Sequence, residues 1–152
     1  MRLFYPMVKR FMRNKPTIYV GADHAGFALK EKIKTAGSID LSPRLVEGDD
    51  YPLAARKVAM AVAQDKDSLG ILVCGTGHGM DIAANRLKGV RAIVARTEKD
   101  AKLSREHNHA NIIVLGGWIT KPALAKKIIA TFLKTKPSKD ARHVRRVKQL
   151  DA

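Results

Sequence analysis

At 152 residues and 16.7 kDa the chain has the length of one domain, enough to bury a core without disulfides or a structural metal. Its one cysteine excludes an internal disulfide, and no apolar run approaches the roughly 20 residues that span a bilayer. The net charge of +15 gathers at the ends: residues 1–15 hold five basic side chains and no acid, residues 134–152 seven basic against two acidic. Such ends read either as a solvated tail plus a charged surface helix or as an attraction for nucleic acid or phosphorylated ligands. Aromatics for base stacking are scarce at 5%.

The segment "MRLFYPMVKRFMRNK" (residues 1–15) is acid-free and Arg-containing. It reads as a short targeting extension or as sequence upstream of a start at Met12, and it lacks the apolar stretch of a secretory signal. The folded domain is expected over residues 16–152. A cytoplasmic location is expected, with organelle import as the alternative.

"TIYVGA" (Thr17–Ala22) is β-branched and aromatic and reads as a buried strand. The next stretch spaces Phe27, Leu29, Ile33 and Ala36 as a helix closed by Gly37. A short strand near Ile39–Leu41 and a polar loop follow, then a helix over Tyr51–Gln64 with Pro52 in its first turn. Leu69–Cys74 is a strand and Gly79–Leu87 a helix; Gly89–Ala95 is a strand and "EKDAKLSREH" a charged surface helix. "NIIVLGG" is a strand, "KPALAKKIIATFLK" a helix, and "SKDARHVRRVKQL" a terminal helix with Val144 and Val147 inward. Almost wholly apolar strands alternating with helices indicate a single doubly wound, Rossmann-like α/β domain of three layers, with a mostly parallel sheet of about five strands.

Ligands of such folds bind beyond the carboxyl ends of the strands. That rule points first to "CGTGHG" (Cys74–Gly79), whose glycines let the backbone turn sharply and offer N–H groups to an anion. The spacing of Gly75, Gly77 and Gly79 is not G-x-G-x-x-G, and the Lys-Ser/Thr of a phosphate-binding P-loop is missing, which disfavours a dinucleotide oxidoreductase. Cys74 ends a buried strand, where a free cysteine is either small apolar filler or a nucleophile or base. Asp23 and His24 end the first strand. His107 and Asn108 end the helix before the strand at Asn111, and both histidine-bearing loops are expected at one edge. His107 and His109 stand two apart, but without a Cys or carboxylate cluster at ligand spacing they make a poor metal pair, and no metal or cofactor is expected.

Taken together, "GADHAGFALK", "DYP", "CGTGHGMDIAAN", "GVRA", "SREHN" and "RHVRRV", in this order, resemble the ribose-5-phosphate isomerase B family and its sugar-phosphate isomerase relatives over about Thr17 to Val147. The resemblance implies a metal-independent aldose–ketose isomerisation of ribose 5-phosphate to ribulose 5-phosphate through an enediolate. It assigns Cys74 as the base that takes the carbon-bound proton, His107 to ring opening and Asp23 to the sugar hydroxyls. The loop Gly75, Thr76, Gly77, His78 and Gly79 is assigned to the developing oxyanion, His24, Arg142 and Arg146 to the phosphate, and Asn108 to substrate. It further implies a homodimer, or a tetramer, whose sites are shared between subunits, so that His107 or the arginines come from the partner chain. No nucleic acid or membrane partner is expected.

The chain also departs from this pattern. Many relatives carry an arginine after the strand "NIIVLGG" where this chain has Trp118. Asp81 stands where a serine is common, His78 fills a variable position, and Met80 occupies the place of a glutamate base found in some relatives. These changes leave a six-carbon aldose phosphate, of the allose- or galactose-6-phosphate type, as an alternative substrate. From another class, a basic nucleic-acid-binding module is the competing reading of the charge.

Overall fold

The computed structural model describes residues 15–152, so the basic extension read over residues 1–15 lies, but for Lys15, outside the described residues. Strands β1 (Thr17–Ala22), β2 (Ile39–Asp40), β3 (Ser68–Cys74), β4 (Ala92–Val94) and β5 (Ile112–Gly116) form one sheet in the order β2-β1-β3-β5-β4, with every neighbouring pair parallel. The intervening helices are α1 (Phe27–Ile33), α2 (Tyr51–Gln64), α3 (His78–Ala84), α4 (Glu98–Asn108), α5 (Pro122–Lys134) and α6 (Ala141–Leu150).

Alternation along the strands sorts the apolar side chains into two cores, one on each face of the sheet. Val20, Ala22, Ile71, Val73, Ile113 and Leu115 face Leu29 and Ile33 of α1, Ala101 of α4 and Ile128 and Phe132 of α5. Leu72, Cys74, Ile112 and Val114 face Ala55, Val58 and Val62 of α2 and Met80 and Ala84 of α3. Both layers of helices are thereby fixed by the period-2 pattern of β1, β3 and β5, the three strands with neighbours on both sides.

Some elements are shorter than the sequence predicts. The first helix stops at Ile33, and Ala36 is exposed beyond it, with Gly37 in a turn at φ +82°. Lys30 supplies a reason. Its ammonium is fully buried, bonded to Asp40 Oδ2 at 2.8 Å and to the Ser42 carbonyl at 2.7 Å, so the chain must turn back at once to bring β2 alongside. Leu41 falls outside β2, which is only Ile39–Asp40. The helix after the glycine loop ends at Ala84 rather than Leu87, because the Asn85 side chain leaves the helix to bond both the N–H and the carbonyl of Ala92. The strand expected over Gly89–Ala95 narrows to Ala92–Val94 at the sheet edge. In α6, Val147 is buried as expected but Val144 is only half-buried, and His143 is the second buried residue.

Candidate active site

The direction of winding selects the site. From β1 the chain goes outward to β2, then crosses back to lay β3 on the other side of β1, so the carboxyl ends of β1 and β3 bound a crevice at a topological switch point. Register places Ala22 beside Val73, and the Asp23 N–H donates to the Val73 carbonyl at 3.3 Å. Asp23 and Cys74 therefore sit on adjacent strand ends, both buried, at 5% and 4% exposure.

Cys74 is followed by a turn that only glycine makes easily. Gly77 has φ +91°, in the left-handed region that a Cβ penalises, and this conformation aims its N–H at Cys74 Sγ, 3.1 Å away. The His78 N–H is directed at Thr76 Oγ1 at 3.3 Å. The end of β5 clamps the loop from the other side: Gly117 N–H donates to the Cys74 carbonyl at 2.6 Å and Trp118 N–H to the Gly75 carbonyl at 3.0 Å.

Asp23 Oδ1 accepts the Gly26 N–H at 2.9 Å, yet burial outweighs this bond and pushes its carboxyl above the usual range. His24 is exposed, and Asp49 reaches it from the loop before α2, with Oδ1 accepting the His24 N–H at 2.8 Å and lying 3.0 Å from Nδ1. That hydrogen bond raises the imidazole pKa above its ordinary 6.5 and occupies Nδ1, so the Nε2–H is the one left for a ligand. Sequence reasoning missed Asp49; the signal was its place immediately before the "DYP" motif.

The departures from the family pattern have definite places. Met80 is fully buried in the core below the loop, so no carboxylate stands there. Asp81 turns along its own helix to accept a hydrogen bond from Asn85 at 3.3 Å, and burial raises its pKa. His78 Nε2 lies 3.3 Å from a guanidinium nitrogen of Arg96 at the end of β4. Trp118 is 73% exposed and its indole rests against the loop at Gly75.

The remaining predicted residues are elsewhere, which corrects the expectation of two histidine-bearing loops at one edge. In a parallel sheet α4 must run from the carboxyl end of β4 back to the amino end of β5, so its last residues, His107 and Asn108, lie at the opposite edge from Cys74. There α6 packs on α4, and the His107 and His143 rings stack with centroids 4.3 Å apart and planes 9° off parallel. Burial, then the charge of His107, lowers the pKa of His143. Arg142 and Arg146 lie one helical turn apart on α6, both exposed, with Arg142 Nε 3.2 Å from the capping Asp140. His109 is no ligand partner for His107: it closes α4 at φ 49° and its Nε2 lies 2.9 Å from the Ser138 carbonyl. One chain thus holds Asp23, His24 and Cys74–Gly79 at one edge and His107, Asn108, Arg142 and Arg146 at the other.

Among the described residues, no helix is long and apolar enough to cross a membrane. The ribose-5-phosphate isomerase B of Escherichia coli strain K12 is 39% identical over 141 residues, covering 89% of this chain and 94% of that one. A ribose 5-phosphate isomerase crystal structure from Thermotoga maritima superposes with a TM-score of 0.83 at 42% identity, covering 90% of this chain and 97% of that one. A Mycoplasma genitalium ribose-5-phosphate isomerase B solved with bound ribulose-5-phosphate gives 0.82 at 38% identity, over 88% and 93% of the two chains. The family model described as Ribose/Galactose Isomerase matches residues 18–150, and with the Asp-His strand end, the Cys-Gly-Thr-Gly loop and the parallel order that sets them side by side, the chain belongs to that family.

Proposed function

We propose that this protein interconverts ribose 5-phosphate and ribulose 5-phosphate by proton transfer through an enediolate, with Cys74 as the base. The observation that carries the reading is the Gly77 N–H aimed at Cys74 Sγ beside buried Asp23, at the crevice between β1 and β3. The thiolate takes the proton from C2 of the open-chain aldose. The C–H electron pair becomes the C1=C2 bond, and the carbonyl electrons move onto O1. Reprotonation at C1, with the proton of the C2 hydroxyl lost and O1 protonated, gives the ketose.

Charge on O1 needs donors that do not have to reorganise, and each such donor is worth about 10²–10³ in rate. Two loop amides are committed, Gly77 to sulfur and His78 to Thr76. The amides of Gly75 and Gly79 and the Thr76 hydroxyl are assigned to the oxyanion. Asp23 holds the sugar hydroxyls. His24, through Nε2, holds the phosphate together with Arg142 and Arg146, whose planar cations suit phosphate geometry.

Those arginines, with His107 for ring opening and Asn108, come from a second copy of the chain. Two features support a homodimer. The halves lie at opposite edges of one molecule, and an apolar surface of Leu45, Val46, Tyr51, Leu53 and Ile82, each 42–57% exposed, flanks the first half. A lone, buried, unpaired thiol suits the reducing cytoplasm.

The test is NMR of the purified protein with a panel of five- and six-carbon aldose phosphates in D₂O containing EDTA. Ribose 5-phosphate is expected to be converted with solvent deuterium entering C1 of the ketose. Absence of turnover with every aldose phosphate would overturn the reading, and turnover confined to hexose phosphates would reassign the substrate. The His24–Asp49 pair adds a pH dependence. Phosphate affinity is present while His24 is protonated and is lost as pH rises through its raised pKa. Asp49→Asn lowers that pKa, so the basic rise in KM is expected to move to lower pH with the kcat profile unmoved. A KM profile identical to wild type would separate His24 from the phosphate.

A further inference from the structure

The indole of Trp118 has a position that the proton transfer does not use. It stands two residues past β5, and its main chain is tied to the chemical loop, its N–H donating to the Gly75 carbonyl while Gly117 donates to that of Cys74. The ring lies on Gly75 so closely that a Cβ there would stand 2.8–2.9 Å from its Cε3, Cζ3 and Cδ2 atoms. A Cβ at 75 would displace the indole from this position. Yet the side chain is 73% exposed, the most exposed of the chain's large apolar residues among those described. One edge of a large flat hydrophobe is pinned against the loop next to the base, and the rest is presented to solvent. Ile119 beside it is 51% exposed as well.

Water contact over most of an indole is unfavourable unless something covers it in use. The ring carries no charge, so it cannot replace an arginine on a phosphate. It can cover carbon. A sugar presents one face of C–H groups, weakly positive, that matches the negative face of an aromatic ring.

We infer that Trp118 is the wall of the substrate site that packs against the C–H face of the sugar carbons, binding the chain of the aldose phosphate and leaving its phosphate to the cations. The inference rests on the isomerase reading. Because the wall touches the substrate equally before and during proton transfer, its contribution falls on KM and leaves kcat nearly unchanged.

Trp118 is the chain's one tryptophan, so its fluorescence reports this position alone. Ribose 5-phosphate titrated into the Cys74→Ala protein, which binds without turnover, is expected to shift or quench the emission saturably, whereas inorganic phosphate is expected to leave it unchanged. In the otherwise wild-type enzyme, Trp118→Ala is expected to raise KM roughly tenfold, the factor about 1.4 kcal/mol carries, with kcat within about threefold. Trp118→Phe should recover most of the loss, and the inhibition constant of inorganic phosphate should stay at its wild-type value in both variants. Emission that does not respond at saturating sugar phosphate, or a Trp118→Ala KM equal to wild type, overturns the inference. So does an equal weakening of inorganic phosphate, which would place the ring at the phosphate instead. Turnover by the wild type with a silent indole sinks only this wall; absence of turnover on every sugar phosphate sinks the isomerase reading, and a saturable indole response would then still uphold a sugar-phosphate site at Trp118.

Discussion

Cys74→Ala is expected to lower kcat for ribose 5-phosphate by about 10²–10⁴, the range that a placed general base contributes, with KM changed little. The fold should survive. Cys74 is a small buried member of the core beneath α2 and α3, and alanine retains most of its packing. What is lost besides the base is the acceptor for the Gly77 N–H, a cost of about 1–3 kcal/mol if that donor is left unsatisfied. Steady-state kinetics beside a urea melt separates the two effects. A melt shifted by that amount with catalysis down by orders of magnitude is the expected pair of results. Activity within a factor of about three of wild type would exclude sulfur as the base, since Met80 offers no carboxylate in its place.

Mixing two inactive variants is expected to restore activity. His107→Ala and Cys74→Ala each remove one half of the site. The two residues lie at opposite edges of a single chain, and the proposed centre takes Cys74 from one copy and His107 from the other. A heterodimer of the two variants rebuilds one intact centre out of two. After unfolding and refolding together in equal amounts, random pairing under two-fold symmetry gives about a quarter of wild-type activity, against a background lower by orders of magnitude. Each variant refolded alone stays inactive. Sizing of the same samples reports the assembly directly. A mixture no more active than its components, in samples that do pair, would place both residues in one chain's site and contradict the strand order.

Asp23 shows the cost at which such a site is held. Its carboxyl is buried at the strand end beside Cys74 with the Gly26 N–H bonded to it, and its pKa is raised because burial outweighs that bond. A carboxyl whose folded pKa is raised costs stability above that pKa, and the cost fades as pH falls toward 3.8. A destabilised acid retained at the crevice accords with the binding role proposed for Asp23.

Most of this was legible in the residues. The apolar runs at Thr17–Ala22, Leu69–Cys74 and "NIIVLGG" admit only buried strands, and the Tyr51–Gln64 helix has the bounds its proline and its spacing predict, because strong local periodicity leaves no competing solution. The Asp-His, Cys-Gly-Thr-Gly and His-Asn stretches carried the family. Local pattern did not foresee that Lys30 would be buried and end α1 early, since the interaction that makes this possible comes from Asp40 and Ser42 after the turn. Nor did it foresee Asp49 on His24, or His143 under His107, each a pairing across a loop or between helices.

The order β2-β1-β3-β5-β4 is the fact no stretch of sequence contains. Residue identity decided which side chains can hold an anion or move a proton, because that is a property of each group and its immediate neighbours. Which of those groups share an edge was decided by the crossovers: a helix between parallel strands must return to the far edge, and this takes His107 and Asn108 away from Cys74 in the same chain. Local periodicity is set by hydrogen bonds a few residues apart, whereas the two edges are separated by the length of a strand, and only the packing of the whole sheet determines what lies at each.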